Sequence, residues 1–326
     1  MPTANMPRRR RIHRTDLAGQ RNTVVVQNYE PNPFDELYPH MLIEDVGLQI
    51  MPLGRRWTDR EFSVELHPAS ERLEQLLSQA LDTHGHDDGL TDAVCDFVRE
   101  TAQLVMHYGR AIYELVYLRD EEGAVAALEF GYVPPKSITI EGARYVQRVP
   151  EDLAAQWEIG TEIRGPANDL MVFDSPMKAQ TLHRILVSLA EVGRPVLPEF
   201  VEKQMLGEEN VGYSSTDDNR FQQLGLAEAC RDIGWDMRSM FSRDDYFLEY
   251  HALVRRLRFQ RFLIRFRDRL IDRLNSYLVG IGEVIGETGQ LALVGLQTEA
   301  DVDIAEASLE RGDGDFKDLL EPFSLR

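Results

Sequence analysis

Two short runs bring together the residue types best suited to binding or catalysis. The first, HGHDD at 84–88, contains His84, His86, Asp87 and Asp88. Imidazole and carboxylate groups are ligands for zinc and for harder divalent metals. The run falls between two predicted helices, however, where a polar, solvated loop is the ordinary expectation. We therefore predict a loop at this position and assign no metal site to the chain.

The second run, GIGEVIGETG at 280–289, is as rich in glycine as a phosphate-binding loop. Such a loop follows a strand, opens a helix and, in many nucleotide-binding proteins, carries a Lys-Ser/Thr pair. This run follows a predicted helix instead and contains no lysine. The pattern favours a helix end followed by a hinge, with Gly280, Gly282 and Gly286 as hinge candidates. It predicts no cofactor.

No nucleophile or acid–base pair stands out elsewhere in the sequence. The serines and histidines lack the G-x-S-x-G pattern that exposes a catalytic serine. The many carboxylates include no pair that the sequence singles out as acid and base. We predict that the chain is not an enzyme. An enzyme whose site is dispersed along the chain remains an alternative.

Charge and composition narrow the possible functions further. The 326 residues carry a formal net charge of −19, so the whole chain should repel nucleic acids and anionic membrane surfaces. This charge argues against a protein that coats DNA, but not against one that contacts DNA without gripping it. No apolar run is long enough to span a membrane. The only cysteines, Cys95 and Cys230, are too few for a disulfide framework.

The elements predicted from the sequence alternate between helix and strand. Ser70 is a plausible helix N-cap, and Gly109 is placed to end a helix. The stretch RAIYELVYLRDEEGAVAALEFGYVPP is typical of a hairpin, with a turn at Gly123 and a proline exit. The predicted elements are a strand in 60–68, helices in 69–85 and 87–109, the hairpin at 110–133, a short strand at 170–176 and a helix at 177–193.

A single long helix dominates the C-terminal half of the sequence. Residues 244–285 predict about 40 helical residues, or about 60 Å at 1.5 Å per residue. Its apolar arc covers about half the circumference, which is too wide for a simple surface helix. The helix must therefore pack against more than one neighbour, either in its own chain or in adjacent subunits. Arginine and aspartate residues occupy much of the remaining surface.

Two segments together resemble the portal proteins of tailed bacteriophages. In that family, a helix ends in Tyr-Gly, a strand with a glutamate follows, and a hairpin leads to a proline-bearing segment. The matching residues here are Tyr108, Gly109, Glu114, Pro134 and Pro135. The later NDLMVFDSP resembles the family's short strand, and RRLRFQRFLIRFRDRLIDRLNSYLVG resembles its long channel helix. The resemblance covers roughly residues 60–286, and the order of the motifs is its most specific feature.

The resemblance implies an α+β, portal-like fold with a mixed α/β wing domain, a small clip excursion and a long stem or channel helix. The chain is short for the family, so the clip and the crown would be small. The implied divisions are an N-terminal arm at 1–35, a wing-like domain at 36–176, a first stem helix at 177–193, a clip-like excursion at 194–243, a long helix at 244–286 and a crown-like segment at 287–326. The arm would be either solvated or clasped to another subunit.

The resemblance also implies a function and a set of partners. Portal proteins form a ring, usually of twelve subunits, at one capsid vertex of the virion, and they are assembled in the host cytoplasm. Double-stranded DNA passes through the ring without sequence specificity during packaging and ejection. The implied partners are further copies of the chain, the major capsid protein, terminase and a head–tail connector or adaptor protein, with no membrane.

On this interpretation the long helix carries the functional residues. The candidates for lining the channel or the subunit interface are Arg258, Arg261, Arg265, Asp268, Arg269, Asp272, Phe262 and Phe266. A non-portal adaptor or regulatory protein that uses the arginine-rich helix for interaction is the other alternative.

Overall fold

The fold is α+β, and the part of the chain that is described combines three small sheets with seven helices of defined bounds and a further helical stretch at 224–229. The computed structural model describes residues 19, 21–26, 37–52, 62–82, 89–193, 224–235, 249–313, 319 and 323. The helices are α1 (Leu37–Gln49), α2 (Glu71–Leu81), α3 (Leu90–Tyr108), α4 (Glu151–Gln156), α5 (Ala179–Gly193), α6 (Glu249–Ile285) and α7 (Glu299–Arg311). The strands are β1 (Ser63–His67), β2 (Arg110–Arg119), β3 (Val125–Tyr132), β4 (Ile138–Glu141), β5 (Arg144–Arg148), β6 (Glu162–Pro166), β7 (Leu170–Asp174) and β8 (Gln290–Val294).

All three sheets are antiparallel. Strand β2 is the centre of the order β3-β2-β7, and β5 is the centre of the order β4-β5-β6. The predicted hairpin is confirmed as β2 and β3, with Gly123 at a positive φ of 83° in the turn. The predicted strand before Pro176 is confirmed as β7, which pairs with β2 from Arg110 to Glu114.

Local signals place the ends of the first helices correctly. The Ser70 hydroxyl accepts a hydrogen bond from the Leu73 amide at 3.1 Å and so caps α2. Helix α3 ends at Gly109, which has the left-handed conformation that glycine adopts at little cost. Leucines at the predicted helical spacing in α2 are buried against the core.

Most buried side chains belong to one apolar core. It joins α1, α2, α3 and α5 to one face of the β3-β2-β7 sheet and to the C-terminal two-thirds of α6. A smaller cluster forms where α7 packs on the N-terminal part of α6. A third lies between the two three-stranded sheets and includes Ile112, Ile138 and Tyr145. Helix α6 therefore has two separate sets of neighbours within its own chain.

Three regions make contacts within the chain that the sequence pattern did not indicate. Strand β8 pairs with β1, so the predicted crown-like segment contributes a strand to a sheet with the N-terminal half of the chain. Residues 224–235, which fall in the predicted clip-like excursion, pack Cys230, Ile233 and Trp235 into the main core. Residues 21–26 of the predicted arm are partly buried, since Thr23 is 3% exposed and Val26 is 6% exposed.

Candidate functional site

The candidate surface is formed by α6, whose predicted apolar arc is turned inward. Every apolar residue that the helical spacing grouped on one arc is buried in the structure. These residues are Leu253, Leu257, Phe259, Phe262, Leu263, Ile264, Phe266, Leu270, Ile271, Leu274, Leu278 and Ile281. The prediction that the helix packs against more than one neighbour is confirmed, and neighbours in the same chain account for it.

The two phenylalanines predicted as interface candidates lie in this core. Phe262 is 8% exposed and Phe266 is 0% exposed, and their ring centroids lie 5.8 Å apart. Phe259 extends the row, with its centroid 6.2 Å from that of Phe262. Packing within the chain explains why aromatic residues stand at these positions. A contribution to a subunit interface remains a prediction.

Arginines on the N-terminal half of α6 make contacts with the chain itself. The Arg261 Nη2 donates to Asp303 at 2.6 Å and to Glu306 at 2.8 Å, both on α7. The Arg265 Nε donates to Glu299 at 2.7 Å, one helical turn before Asp303 on α7. These pairs supplement the apolar contacts that hold α7 on α6.

Two further candidates are also engaged within the chain. The Arg258 Nη1 donates to the main-chain carbonyl of Arg231 at 3.0 Å. Asp268 accepts from the Arg267 Nε at 2.8 Å, and Arg267 is 6% exposed. Burial raises the pKa of Asp268 while Arg267 lowers it, and the nearby Asp272 and Glu299 add to the increase. This pair holds α6 to the following loop, because Arg267 also donates to the Gln297 carbonyl at 2.8 Å.

The remaining two charged candidates line an open groove between α6 and the end of β7. Arg269 and Asp272 contribute to this groove of about 480 Å³. Neither side chain makes a hydrogen bond to another described residue. The other lining residues are Asp174, Leu270, Arg273 and Ser276. With Arg269, Arg273 and Asp272 on the α6 side and Asp174 on the β7 side, the groove is suited to polar contact with a protein surface rather than to selective binding of an anion.

Arg273 and Tyr277 fix the wall of this groove and were not singled out from the sequence. The Arg273 guanidinium lies 4.8 Å from the centre of the Tyr277 ring, and its Nε donates to the Val172 carbonyl at 3.1 Å. The Tyr277 hydroxyl accepts a bond of 2.7 Å from the Val172 amide. Their positions one and two turns beyond Arg269 were visible in the sequence, but the β7 backbone that they contact was not.

The C-terminal end of α6 agrees with the predicted helix end. Gly280 and Gly282 lie within the helix, which ends at Ile285. Gly286 follows with a φ of +75°, and its amide donates to the Gly282 carbonyl at 2.9 Å. Beside these glycines, Val279 is 56% exposed and Val284 is 45% exposed. Movement at these glycines remains a prediction.

The described residues were also compared with what a metal site or a membrane-spanning helix requires. The HGHDD run at 84–88 lies outside the described residues. Among those that are described, no group of histidine, cysteine, aspartate and glutamate side chains could hold a metal ion. No described helix is both long enough and apolar enough to cross a membrane.

Comparison with known proteins gives no family assignment. No protein-family model matches the sequence, and no curated protein matches it. Among solved structures, the chain is similar to one in the neck of an empty gene transfer agent particle computed with C6 symmetry, at 14% identity over 83% of each chain with a TM-score of 0.45. It is also similar to one in the virion of a native gene transfer agent particle, at 12% identity over 89% of each chain with a TM-score of 0.44. Both TM-scores are too low for these similarities to establish the fold or the function of this chain.

Proposed function

We propose that the chain is a structural protein of a tailed-phage-like particle, and more specifically a portal protein. It would form a ring at one capsid vertex, conduct DNA during packaging and ejection, and provide a docking platform for terminase and for tail or connector proteins. No catalysis or cofactor is part of this proposal.

The order of the elements carries the proposal. The motifs that resemble the portal family fold as one connected series, in which α3 leads through Gly109 into β2 and β3, and then β7 and α5 precede α6. Strand β2 lies between its hairpin partner and β7, and it buries Glu114, the glutamate of the motif. A motif match by chance would not be expected to place α3, β3 and β7 beside one strand.

The exposed face of α6 supports a role in assembly. Of its charged candidates, Arg269 and Asp272 are the two that make no hydrogen bond within the described ranges, and both line the groove. The face continues along the helix past Ser276 and Gly280 to the exposed Val279 and Val284. We assign this face to contact with a neighbouring subunit or with the channel.

The charge of the chain fits passive conduction of DNA. A net charge of −19 makes prolonged binding of a polyanion unfavourable, so duplex DNA could slide through the ring without adhering. The partners under this proposal are other copies of the chain, the major capsid protein, terminase and a connector protein. Its location would be the portal vertex of the virion.

Negative-stain electron microscopy of the purified full chain tests this function. The proposal predicts ring-shaped particles with a central hole wide enough to admit duplex DNA. Compact particles without a hole would contradict it and would favour the adaptor or regulatory alternative.

Replacing Asp272 by arginine and Arg269 by glutamate in separate variants should reduce the fraction of rings, if the groove lies at the subunit interface. The matched control is Glu121→Gln in the exposed β2–β3 turn, which should leave the rings intact.

A further inference from the structure

Residues 21–26 occupy a seat built by side chains from two sheets. Glu114 on β2 accepts hydrogen bonds from the Asn22 amide at 3.0 Å, the Thr23 amide at 2.8 Å and the Thr23 hydroxyl at 2.6 Å. Gln147 on β5 accepts from the Val24 amide at 2.9 Å and donates to the Val24 carbonyl at 2.7 Å. The Gln147 side chain therefore bonds both main-chain groups of Val24, as the backbone of a neighbouring strand would.

The seat is held in place independently of the segment that fills it. Glu114 lies on the central strand of one sheet, and Gln147 lies on the central strand of the other. Glu114 is 1% exposed and Gln147 is 0% exposed. Gln147 also donates to the Ser137 hydroxyl at 3.1 Å, which fixes the orientation of its amide. The Gln147 amide is thus oriented by the fold itself, and the backbone of Glu114 is held on the central strand.

A third buried polar group belongs to the same site. Tyr145 on β5 is 0% exposed, and its hydroxyl has no hydrogen-bond partner among the described residues. Burial and the neighbouring carboxylates of Glu114 and Asp169 raise the pKa of Tyr145 to about 12, while Arg21 opposes them. The hydroxyl therefore remains protonated and available as a donor beside the bound segment.

The bound segment is recognised mainly through polar contacts. The Arg21 Nε donates to the Thr23 hydroxyl at 3.0 Å and lies 3.6 Å from the Glu114 carboxylate, and Arg21 also donates to the Tyr132 carbonyl. Val26 is buried, whereas Val25 is 51% exposed. The seat thus selects a peptide with an arginine, a hydroxyl two residues later and an apolar residue at its end.

An empty seat would be unfavourable. It would leave a buried carboxylate and a buried amide without the partners described above, at a cost of about 1–3 kcal/mol for each group. The seat therefore requires an occupant, but nothing in its contacts depends on the occupant belonging to the same chain. The contacting residues are separated by 91 to 123 positions in sequence.

We propose that this seat is also a docking site for residues 21–26 of a second copy of the chain, so that neighbouring subunits exchange these segments. Exchange of an identical element makes the same contacts between chains as within one chain. The free energy of those contacts therefore changes little. Residues 27–36 connect the segment to α1, and ten extended residues span at most about 33–36 Å. The inference rests on the proposed ring. A ring holds neighbouring chains close enough for exchange of the segment to compete with its binding within its own chain.

Isotope-mixed crosslinking of the full chain tests the exchange. A photoreactive amino acid replaces Val25, and chains labelled with ¹⁴N and ¹⁵N are unfolded together in equal amounts, refolded and irradiated. Mass spectrometry then identifies crosslinks from position 25 to β2 or β5. Complete exchange predicts that about half of these crosslinks join differently labelled chains. Crosslinks found only within chains of the same label, or none to either strand, would overturn the proposal.

A further variant tests whether the crosslinks depend on recognition by the seat, and the native mass tests ring formation separately. Thr23→Val retains the size of the side chain but removes the hydroxyl that donates to Glu114, so crosslinking to the seat should fall about tenfold. An unchanged yield in this variant would show that the seat does not recognise the segment as proposed. The native mass of the same sample reports on the ring separately. Rings with only same-label crosslinks would retain the proposed function and reject the exchange.

Discussion

At the scale of single residues, the most informative side chains are buried polar ones whose partners lie far away in the sequence. Glu114 meets Asn22 and Thr23, and Arg267 meets the Gln297 carbonyl. A buried polar group is costly unless it is hydrogen-bonded, so each of these contacts ties a distant segment to a central element. These residues fix the position of the arm and of the loop before α7.

Replacing Glu114 by glutamine should destabilise the chain by about 1–3 kcal/mol, because an amide cannot accept all of the hydrogen bonds that the carboxylate accepts. Equilibrium urea unfolding of each variant would measure this loss. Glu121→Gln makes the same chemical change in the exposed β2–β3 turn and should alter the free energy of unfolding by less than about 0.5 kcal/mol. Equal effects of the two substitutions would contradict the structural role of Glu114.

At the scale of elements, α6 organises the fold through two apolar contacts and a row of ion pairs. Its C-terminal two-thirds pack in the main core, and Leu253, Leu257 and Ile264 pack on α7. The ion pairs to α7 are partly exposed, and such pairs contribute little to stability. The apolar contact is therefore the main source of the stability of the α6–α7 pair.

This ranking can be tested with neighbouring substitutions on α6. Ile264→Ala should cost about 2–5 kcal/mol, since it leaves a cavity under α7. Arg265→Gln, which breaks the partly exposed pair with Glu299, should cost at most about 1 kcal/mol. Hydrogen exchange measured by mass spectrometry should show faster exchange in α7 only for Ile264→Ala. Stronger loss of protection in Arg265→Gln would reverse the ranking.

Alanine substitutions at two glycines near the end of α6 should change the stability of the chain in opposite directions. A Cβ at Gly280 would meet no atom within 4 Å, so Gly280→Ala should stabilise the helix by about 0.5–1 kcal/mol. Gly286 has a φ of +75°, so Gly286→Ala should cost about 1–2 kcal/mol. Thermal unfolding followed by circular dichroism would distinguish them. Stabilisation by both substitutions would contradict the helix end described here.

Elements with local signals were predictable from the sequence, and contacts between distant elements were not. Ser70, Gly109 and the hairpin around Gly123 place their elements through caps and turns that involve neighbouring residues only. The strands β4, β5 and β6 were missed because they are short and rich in polar residues. The pairing of β1 with β8 joins segments more than 200 residues apart, and no local pattern encodes it.

The same distinction applies to the candidate site. Helical spacing identified which residues of α6 are buried and which carry charge, since both follow from a period of 3.6 residues. It could not tell an arginine that meets α7, such as Arg261, from one that lines the groove, such as Arg269. That difference depends on where α7 and β7 lie, which only the folded chain determines. The buried Arg267 was missed for the same reason.

At the scale of the whole molecule, the proposal combines an acidic chain, an exposed face on the longest helix and an arm that fills a seat between two sheets. A ring would unite these features, because it would cover the α6 face and bring seats and arms of neighbouring chains together.

The chain carries a net charge of −19, so mutual repulsion should oppose assembly at low ionic strength. Ring formation should therefore increase with added salt, as measured by sedimentation velocity, whereas a decrease would indicate that attraction between charges dominates the interface.

The native mass of the purified full chain is the most direct test of the central claim. Twelve copies of the 37.4 kDa chain come to about 450 kDa. Native mass spectrometry at moderate salt should give one dominant species near that mass, or near another multiple large enough to close a ring. A single species of one to four chains, unchanged across a wide range of protein and salt concentrations, would contradict the portal account.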